Sequence, residues 1–299
     1  MRIFSPARSY LLTVATSLML VPGITPAWAN PDTDVLILSA PPRGKVDAES
    51  KIYQPVAEYL SKATGRKIVY RHIDNWLSYQ SEMQKGKIDI VFDGPHFVSW
   101  RMAALQHEPV AKLPGKLAFV AIVKADDQEI NNTKDLAGRM VCAFAPPNLA
   151  TLTFLAEFEN PARQPRIINV ESFPQAYKLM LSGKCRAAVL RDVMFKKLDG
   201  KAKKARVVFQ SGGVANQAFS AGPRLSAAEK DKVAQALVAP RTSVAIKAFL
   251  DSENQGKALV PAKADEYRPH ARLLKDVWGF GLKSAETDQL TPTNNKRRK

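Results

Sequence analysis

Residues 86–95, Gly-Lys-Ile-Asp-Ile-Val-Phe-Asp-Gly-Pro, contain the pattern that decides the fold. The run 88–92 is short and mostly apolar, and turn residues bound it on both sides, with Asp93-Gly94-Pro95 directly after it. Such a run predicts a buried β-strand that ends in a tight turn. Because proline is a favourable first residue of a helix, we expect strand, turn and helix in direct succession.

The sequence before this stretch repeats the same alternation. Residues 35–39 are apolar and end at Pro41-Pro42-Arg43-Gly44, which predicts a strand and a turn. A helix follows, with apolar residues at helical spacing from Pro55 to Ala63 and Gly65 at its end. Residues 67–71 predict a strand and residues 76–85 a helix. The order β-α-β-α-β is typical of a parallel sheet covered by helices.

The alternation returns in the second half of the chain. Strands are predicted at 117–123, 140–144, 167–170 and 186–190, and helices at 149–158, 174–181, 227–238 and 243–250. A single core rarely grows beyond about 250–300 residues, and the chain has 299. We therefore predict an α/β protein of two lobes, each a mostly parallel sheet flanked by helices, joined by two crossover strands. Lobe 1 is assigned residues 30–121 and 221–285, and lobe 2 residues 122–220.

The two ends of the chain are predicted to lie outside the lobes. Arg2 and Arg8 precede an apolar run at 11–21, and Ala27-Trp28-Ala29 supplies the small residues of a signal-peptidase site. The apolar run is too short to span a bilayer, which takes about 20 residues. We expect residues 1–29 to be a cleaved signal peptide, the protein to be periplasmic, and residues 286–299 to be a flexible basic tail.

The charge balance is strongly positive. The chain carries 44 Lys and Arg against 28 Asp and Glu, a formal net charge of +16, with 45% hydrophobic residues, which is a globular composition. Export argues against nucleic acid as a partner, and the basic runs carry no interleaved aromatic residues on which bases would stack. The positive field would instead attract anionic ligands.

Cysteine and histidine patterns give no metal or cofactor site. Two cysteines are too few for a Cys-rich zinc module, and the four histidines lack metal-ligand spacing. Neither a Gly-x-Ser-x-Gly elbow nor a phosphate loop occurs. Cys142 lies in one predicted strand and Cys185 just before another, so a disulfide is expected in an oxidising compartment, with two separately buried thiols as the alternative.

Several motifs in order resemble a known family: the periplasmic phosphate/phosphonate-binding components of ABC importers, which have the type II two-lobed periplasmic binding fold. The motifs are residues 86–95, residues 134–139 (Lys-Asp-Leu-Ala-Gly-Arg), residues 183–189 with Asp192-Val193, and Ala264-Asp265-Glu266-Tyr267. The resemblance implies capture of a small anionic solute, its delivery to a membrane permease and no covalent change. Because a clamshell needs no partner subunit to bind, a monomer is expected.

The ligand-binding residues are expected at the carboxyl ends of the strands, where open α/β sheets bind their ligands. Two predicted helix starts, at Pro95 and after the N-cap residue Asn148, would present unpaired N–H groups to an anion. Thr151 would add a hydroxyl, His96 and Phe97 would contact the rest of the ligand, and Tyr53 would lie at the rim. The full predicted set is Arg43, Tyr53, Asp93, Gly94, His96, Phe97, Asn148, Ala150, Thr151, Arg191 and Asp192.

One loop departs from the family pattern. Members usually carry a Ser/Thr-rich run where this chain has residues 146–151, Pro-Pro-Asn-Leu-Ala-Thr, and the two prolines have no N–H to donate. Asp93 would also repel an anion unless it pairs with a ligand amine or with Arg43 or Arg191. The sequence therefore leaves phosphate-like oxyanions and zwitterions both open as ligands.

Two other functions are kept open by the sequence. The same fold could report ligand occupancy to a membrane sensor kinase instead of a permease. An exported hydrolase that uses Asp93 and His96 is the third alternative, and loss of turnover in Asp93→Asn would support it.

Overall fold

The computed structural model describes residues 34–239, 242–254, 256–277 and 279–281. The predicted signal peptide and the predicted basic tail lie outside the described residues. None of the helices within these ranges has the length and apolar character needed to cross a membrane.

The strands follow the predicted alternation, with additional short strands between the predicted ones. They are β1 (Leu36–Ser39), β2 (Ile68–Tyr70), β3 (Ile90–Asp93), β4 (Glu108–Lys112), β5 (Lys116–Leu117), β6 (Phe119–Lys124), β7 (Met140–Ala143), β8 (Arg166–Asn169), β9 (Ala187–Arg191), β10 (Ala205–Gln210), β11 (Val214–Ala215), β12 (Ala218–Ala221) and β13 (Val260–Pro261).

The helices lie between these strands and after them. They are α1 (Val46–Thr64), α2 (Trp76–Gln84), α3 (Pro95–Leu105), α4 (Leu149–Leu155), α5 (Phe173–Leu181), α6 (Asp192–Asp199), α7 (Ala227–Val238), α8 (Thr242–Ala245) and α9 (Lys247–Asn254). Short 3-10 helices cover Thr133–Leu136, Pro161–Arg163, Ala264–Glu266 and Arg268–Leu274.

The first sheet has the order β13-β4-β12-β3-β1-β2. Its β1 pairs in parallel with β2 and with β3, as the β-α-β-α-β pattern predicts. The strands β12, β4 and β13 add antiparallel pairs on the other side of β3. Helix α1 covers this sheet and ends at Gly65, whose φ of 76° is the left-handed conformation expected for that residue.

The second sheet has the order β10-β6-β9-β7-β8. Here β7 pairs in parallel with β8 and β9, whereas β6 pairs antiparallel with β9 and β10. Both sheets are thus mixed rather than mostly parallel. The antiparallel strands β4, β6, β10 and β12 are those next to the points where the chain passes from one sheet to the other, and β13 is a further antiparallel strand at the edge of the first sheet.

A two-stranded ribbon marks both passages between the sheets. β5 pairs antiparallel with β11, with Leu117 opposite Val214 and Lys116 opposite Ala215. The boundaries expected at 121/122 and 220/221 fall inside β6 and β12, each of which lies wholly within one sheet. The domain division is still a prediction, and we propose to place its two crossings at this ribbon.

Apolar residues form a core on each sheet and one cluster that joins the two lobes. The joining cluster includes Tyr79, Phe97 and Trp100 from the first lobe and Leu152 from α4 of the second. It brings the first turns of α3 and α4 close together, and these turns contain several of the predicted ligand-binding residues.

The predicted disulfide is confirmed. Cys142 and Cys185 are bonded, with a Cα–Cα distance of 5.6 Å and a sequence separation of 43. The bond ties β7 to the segment that enters β9, and both residues are buried.

Candidate functional site

A hydrogen bond joins the two helix starts that the sequence singled out. The imidazole Nε2 of His96, at the start of α3, lies 3.0 Å from the carbonyl oxygen of Pro147 in the loop before α4. The two residues are 51 positions apart in sequence and belong to different lobes. The predicted convergence of these loops is therefore seen directly.

The bond to Pro147 fixes the proton position on His96. Burial lowers the pKa of His96 to about 3, so the ring is neutral at physiological pH. A neutral ring that contacts a carbonyl oxygen through Nε2 carries its proton there, which leaves Nδ1 as an acceptor. Nδ1 is buried and has no hydrogen-bond partner among the described residues. A ligand with a donor group would satisfy it.

The first turn of α3 has free backbone donors. Gly94 is the N-cap residue and makes no side-chain cap, and the first amide in the turn with a backbone acceptor is that of Val98, which bonds the Gly94 carbonyl. Within the described residues the amides of His96 and Phe97 therefore point at no protein acceptor. A β-carbon on Gly94 would lie 2.8 Å from Cε1 of His96, so only glycine leaves room for the ring.

Asp93 is part of a buried ion pair instead of facing the ligand. Tyr79 donates to its Oδ2 at 2.5 Å, and the Nε of Arg101 lies 3.4 Å from the same oxygen. Burial raises the pKa of Asp93 while Arg101 and Tyr79 lower it, with burial prevailing. The partner of Asp93 is thus Arg101, not Arg43 or Arg191 as expected. Since Asp93 and Arg101 are fully buried, the hydrolase alternative loses its acidic residue.

The loop before α4 satisfies its own polar groups. Asn148 is the N-cap as predicted, and its side chain accepts from the amide of Ala150 at 3.0 Å. Thr151 is buried and donates its hydroxyl to the carbonyl of Phe144 at 2.6 Å. The predicted donor amide of Ala150 and the predicted hydroxyl of Thr151 are therefore already used within the loop.

The carboxylate of Glu49 accepts hydrogen bonds from backbone amides of the loop after β1. The amides of Arg43 and Gly44 both donate to Oε1 of Glu49, at 2.7 and 2.8 Å. The other oxygen of Glu49 accepts from Tyr70 at 3.2 Å and lies 3.0 Å from Nδ1 of His72. The backbone amides of this loop are therefore already bonded, and the polar group that it leaves available is the side chain of Arg43.

Arg43 and Arg191 lie close to a carboxylate that the sequence analysis did not identify. Nη1 of Arg43 lies 3.3 Å from Oε2 of Glu253, in α9. Burial lowers the pKa of Arg191, the adjacent Asp192 raises it, and the charges of Arg43 and Glu253 act on it in opposite directions. Arg43 and Glu253 thus lie within electrostatic range of Arg191, and they contact each other directly. We call Arg43, His96, Arg191 and Glu253 the interlobe site.

The cationic groups of the interlobe site are not fully paired. Nε of Arg191 is buried without a hydrogen-bond partner among the described residues. The Arg43 side chain is about one-third exposed and stands over the Phe92 ring, 5.9 Å from its centre. Arg43 also acts on the pKa of His96, which places it near the start of α3.

The remaining predicted residues lie behind this site or beside it. Tyr53 is buried, not at a rim, and its hydroxyl donates to Oε1 of Glu253 at 3.3 Å. Phe97 is buried in the cluster that joins the lobes and stacks on the half-exposed Trp76. Asp192 forms an ion pair with Lys196, one helical turn later, at 3.5 Å.

Sequence reasoning missed two residues, Arg101 and Glu253. Arg101 follows Asp93 by eight residues, but Asp93 ends β3 and Arg101 lies in α3, so no helical spacing signals the pair. Glu253 reaches Arg43 across a separation of 210 residues, and no local pattern signals such a contact.

Two cavities of about 260 Å³ each lie elsewhere in the protein. One is lined by Lys124, Arg139 and Met180 on the second lobe, and the other by Met102, His107 and Arg268 on the first. The described part of the chain holds no group of three or more metal-ligating side chains.

Comparison with known proteins identifies related sequences. A family model described as the periplasmic substrate-binding protein of phosphonate ABC transporters matches residues 38–267. The Phosphate-import protein PhnD of Mycolicibacterium smegmatis is 27% identical over 144 residues, which are 46% of this chain and 44% of that protein. The match to this curated relative thus spans less than half of its length.

Two solved structures are similar in fold. PhnD1 from Prochlorococcus marinus, solved in complex with methylphosphonate, has a TM-score of 0.60 and 14% identity over 81% of this chain and 98% of that one. XAC2383 from Xanthomonas citri, solved with bound ATP, has a TM-score of 0.63 and 13% identity over 86% of this chain and all of that one. At these identities the likeness concerns the fold alone.

Proposed function

Because the chain belongs to the family of periplasmic substrate-binding proteins of phosphonate ABC transporters, we propose that it captures a small oxyanionic or zwitterionic solute between its two lobes for import. The family binds and delivers substrates, so the chain is a binding protein and not an enzyme. The resemblance read from the sequence is thereby confirmed. The ligand itself is the open part of the proposal.

The observation that carries the proposal is the meeting of Arg43 and Arg191. Arg43 follows β1 of the first sheet and Arg191 ends β9 of the second, and the charge of Arg43 acts on the pKa of Arg191. An anion between them would pair with both guanidinium groups and so hold the lobes together. Charge-assisted hydrogen bonds of this kind are about twice as strong as neutral ones.

The start of α3 supports the same ligand class. Its unpaired amides and the positive end of the helix dipole favour an oxyanion beside His96. The acceptor Nδ1 of His96 and the carboxylate of Glu253 would in turn suit a donor on the ligand. A solute with both an oxyanion and a donor, such as a zwitterion or a protonated phosphonate, would use all of these groups.

The cellular setting is part of the proposal. The family is periplasmic, and residues 1–29 have the pattern of a cleaved signal peptide. We propose a permease in the inner membrane as the partner. Pull-down from membranes tests this, and recovery of a sensor kinase without any permease would contradict it.

Thermal shift and calorimetry test the ligand class. The panel comprises phosphonates, phosphite, sulfonates and amino acids, with the mature chain as the sample. We expect at least one small oxyanion or zwitterion to stabilise the protein, and Arg191→Gln to weaken its binding by roughly tenfold or more, since a hydrogen bond to a charged group contributes about 1.5–3 kcal/mol.

A matched variant controls for overall charge. Arg163→Gln makes the same charge change in the second lobe, at an exposed residue of a short 3-10 helix. It should bind like the unmodified protein. If no solute stabilises the protein, or if both variants weaken binding equally, the proposed function is wrong.

A further inference from the structure

The positive and negative charges of the interlobe site do not sum to zero. Arg43 and Arg191 bring two positive charges, and Glu253 brings one negative charge from the far end of the chain. We propose that Glu253 selects ligands by charge, so that the site accepts a singly charged anion, or the anionic end of a zwitterion, in preference to a doubly charged one. This inference rests on the proposed function.

Glu253 is held in place by two contacts. Its Oε2 lies 3.3 Å from Arg43, and its Oε1 accepts from the hydroxyl of Tyr53, also at 3.3 Å. Its side chain is 17% exposed, so water screens its charge only in part. Burial raises the pKa of Tyr53 well above its usual value, which keeps the hydroxyl protonated as a donor. The carboxylate therefore stays beside the ligand position and does not swing into solvent.

The other carboxylates near the site have partners of their own within the protein. Asp93 is paired with the buried Arg101, and Glu49 accepts from two backbone amides. Asp192 is paired with Lys196 outside the site. The charged side chains of the interlobe site itself are Arg43, Arg191 and Glu253, which sum to one positive charge, and Glu49 and Asp192 add negative charge beside it.

A singly charged ligand would make this set neutral. A second negative charge would have no further guanidinium to neutralise it and would lie near Glu253 in a partly buried site, where repulsion between like charges is stronger than in water. The altered loop at residues 146–151 adds little to offset this, because the amide of Ala150 and the hydroxyl of Thr151 are already bonded. A preference of about tenfold for the singly charged form is expected.

Calorimetry with a matched pair of ligands tests the inference. The probes are methylphosphonate, at a pH well above its second pKa, and its monomethyl ester, which has the same phosphonate group and only one charge. The unmodified protein should bind the ester about tenfold more tightly. Glu253→Gln keeps the shape and one of the two acceptor contacts but removes the charge, and it should abolish or reverse that preference.

The control is Asp251→Asn, in the same helix. Asp251 is exposed and pairs with Lys247, so this variant removes one negative charge away from the site. It should keep the preference of the unmodified protein, and thermal unfolding of both variants confirms that they fold. If Glu253→Gln shifts both affinities by the same factor, or if the dianion binds more tightly to the unmodified protein, the inference is overturned while the proposed function stands. If neither probe binds and the solute panel is also negative, both fall.

Discussion

The imidazole of His96 donates from Nε2 to the carbonyl oxygen of Pro147 at 3.0 Å, which links the start of α3 in one lobe to the loop before α4 in the other. This bond requires a proton on Nε2, and in the neutral ring that proton is the only one. It leaves Nδ1 as the only free polar atom of the side chain, in a buried position between the lobes.

Replacing His96 should change how stability depends on pH. Burial lowers its pKa from 6.5 to about 3 in the folded protein. Between these values only the unfolded chain takes up the proton, so the free energy of unfolding falls as the pH falls through this window, by about 1.4 kcal/mol per unit. Above pH 6.5 His96 makes no pH-dependent contribution.

Urea unfolding from pH 7 down to about pH 5 measures this effect. Over that range the free energy of unfolding of His96→Gln should fall by about 2 kcal/mol less than that of the unmodified protein. His107 and His270, whose pKa values are also lowered by burial, remain in both proteins and cancel in the comparison. Parallel curves for the two proteins would contradict the assigned pKa of His96.

Gly94→Ala should disturb ligand binding through the same histidine. The new β-carbon would lie 2.8 Å from Cε1 and 3.0 Å from Nδ1 of His96, so the ring must move away from Pro147. We expect a loss of stability of about 1–3 kcal/mol from overpacking, together with weaker binding of any ligand found in the solute panel. Gly212→Ala, where a β-carbon meets nothing within 4 Å, is the control and should behave like the unmodified protein.

Arg101→Leu should be strongly destabilising. Arg101 and Asp93 are both fully buried, and removal of one partner leaves an uncompensated charge. Such losses are about 3–5 kcal/mol. Denaturant unfolding measures the loss, and a change below 1 kcal/mol, about the size expected for an exposed ion pair, would show that the pair does not matter for folding. Asp93→Asn should likewise lower the free energy of unfolding, and it should have a smaller effect on ligand affinity.

Loss of the disulfide should lower the free energy of unfolding by about as much as the loss of Arg101. Cys142 and Cys185 are 43 positions apart, and the chain-entropy account values a loop of that length at about 4 kcal/mol. The double variant Cys142→Ala/Cys185→Ala avoids leaving buried thiols. Its unfolding should not respond to a reducing agent, whereas the unmodified protein should become less stable when reduced. Equal stability of the two proteins under oxidising conditions would contradict this prediction.

Local pattern predicted much of the fold. Apolar runs bounded by glycine and proline identified β1, β3, β7 and β9, and Asn148 was recognised as a helix cap because capping depends on only a few neighbouring residues. The antiparallel strands β4 and β13 were not predicted. Their pairing depends on how the chain returns from the other lobe, which local pattern does not encode.

The site was less predictable than the fold, for a physical reason. Arg43, His96 and Arg191 were predicted because they lie at or after the ends of strands that face the same region. Their roles depend on contacts between distant segments: Glu253 joins Arg43, and Pro147 joins His96. Thr151 was assigned a free hydroxyl because its residue type allows one, but that hydroxyl donates to the carbonyl of Phe144 at 2.6 Å.

The ribbon of β5 and β11 has a consequence for engineering. The chain enters and leaves the five-stranded sheet through two hydrogen-bonded neighbours, Leu117 and Val214. Everything between them is one uninterrupted insertion with adjacent ends, so it has the layout of a replaceable cassette. Grafting the corresponding segment of a relative at these two positions would exchange Arg191 and the loop before α4 together, while Arg43, His96 and Glu253 stay with the host.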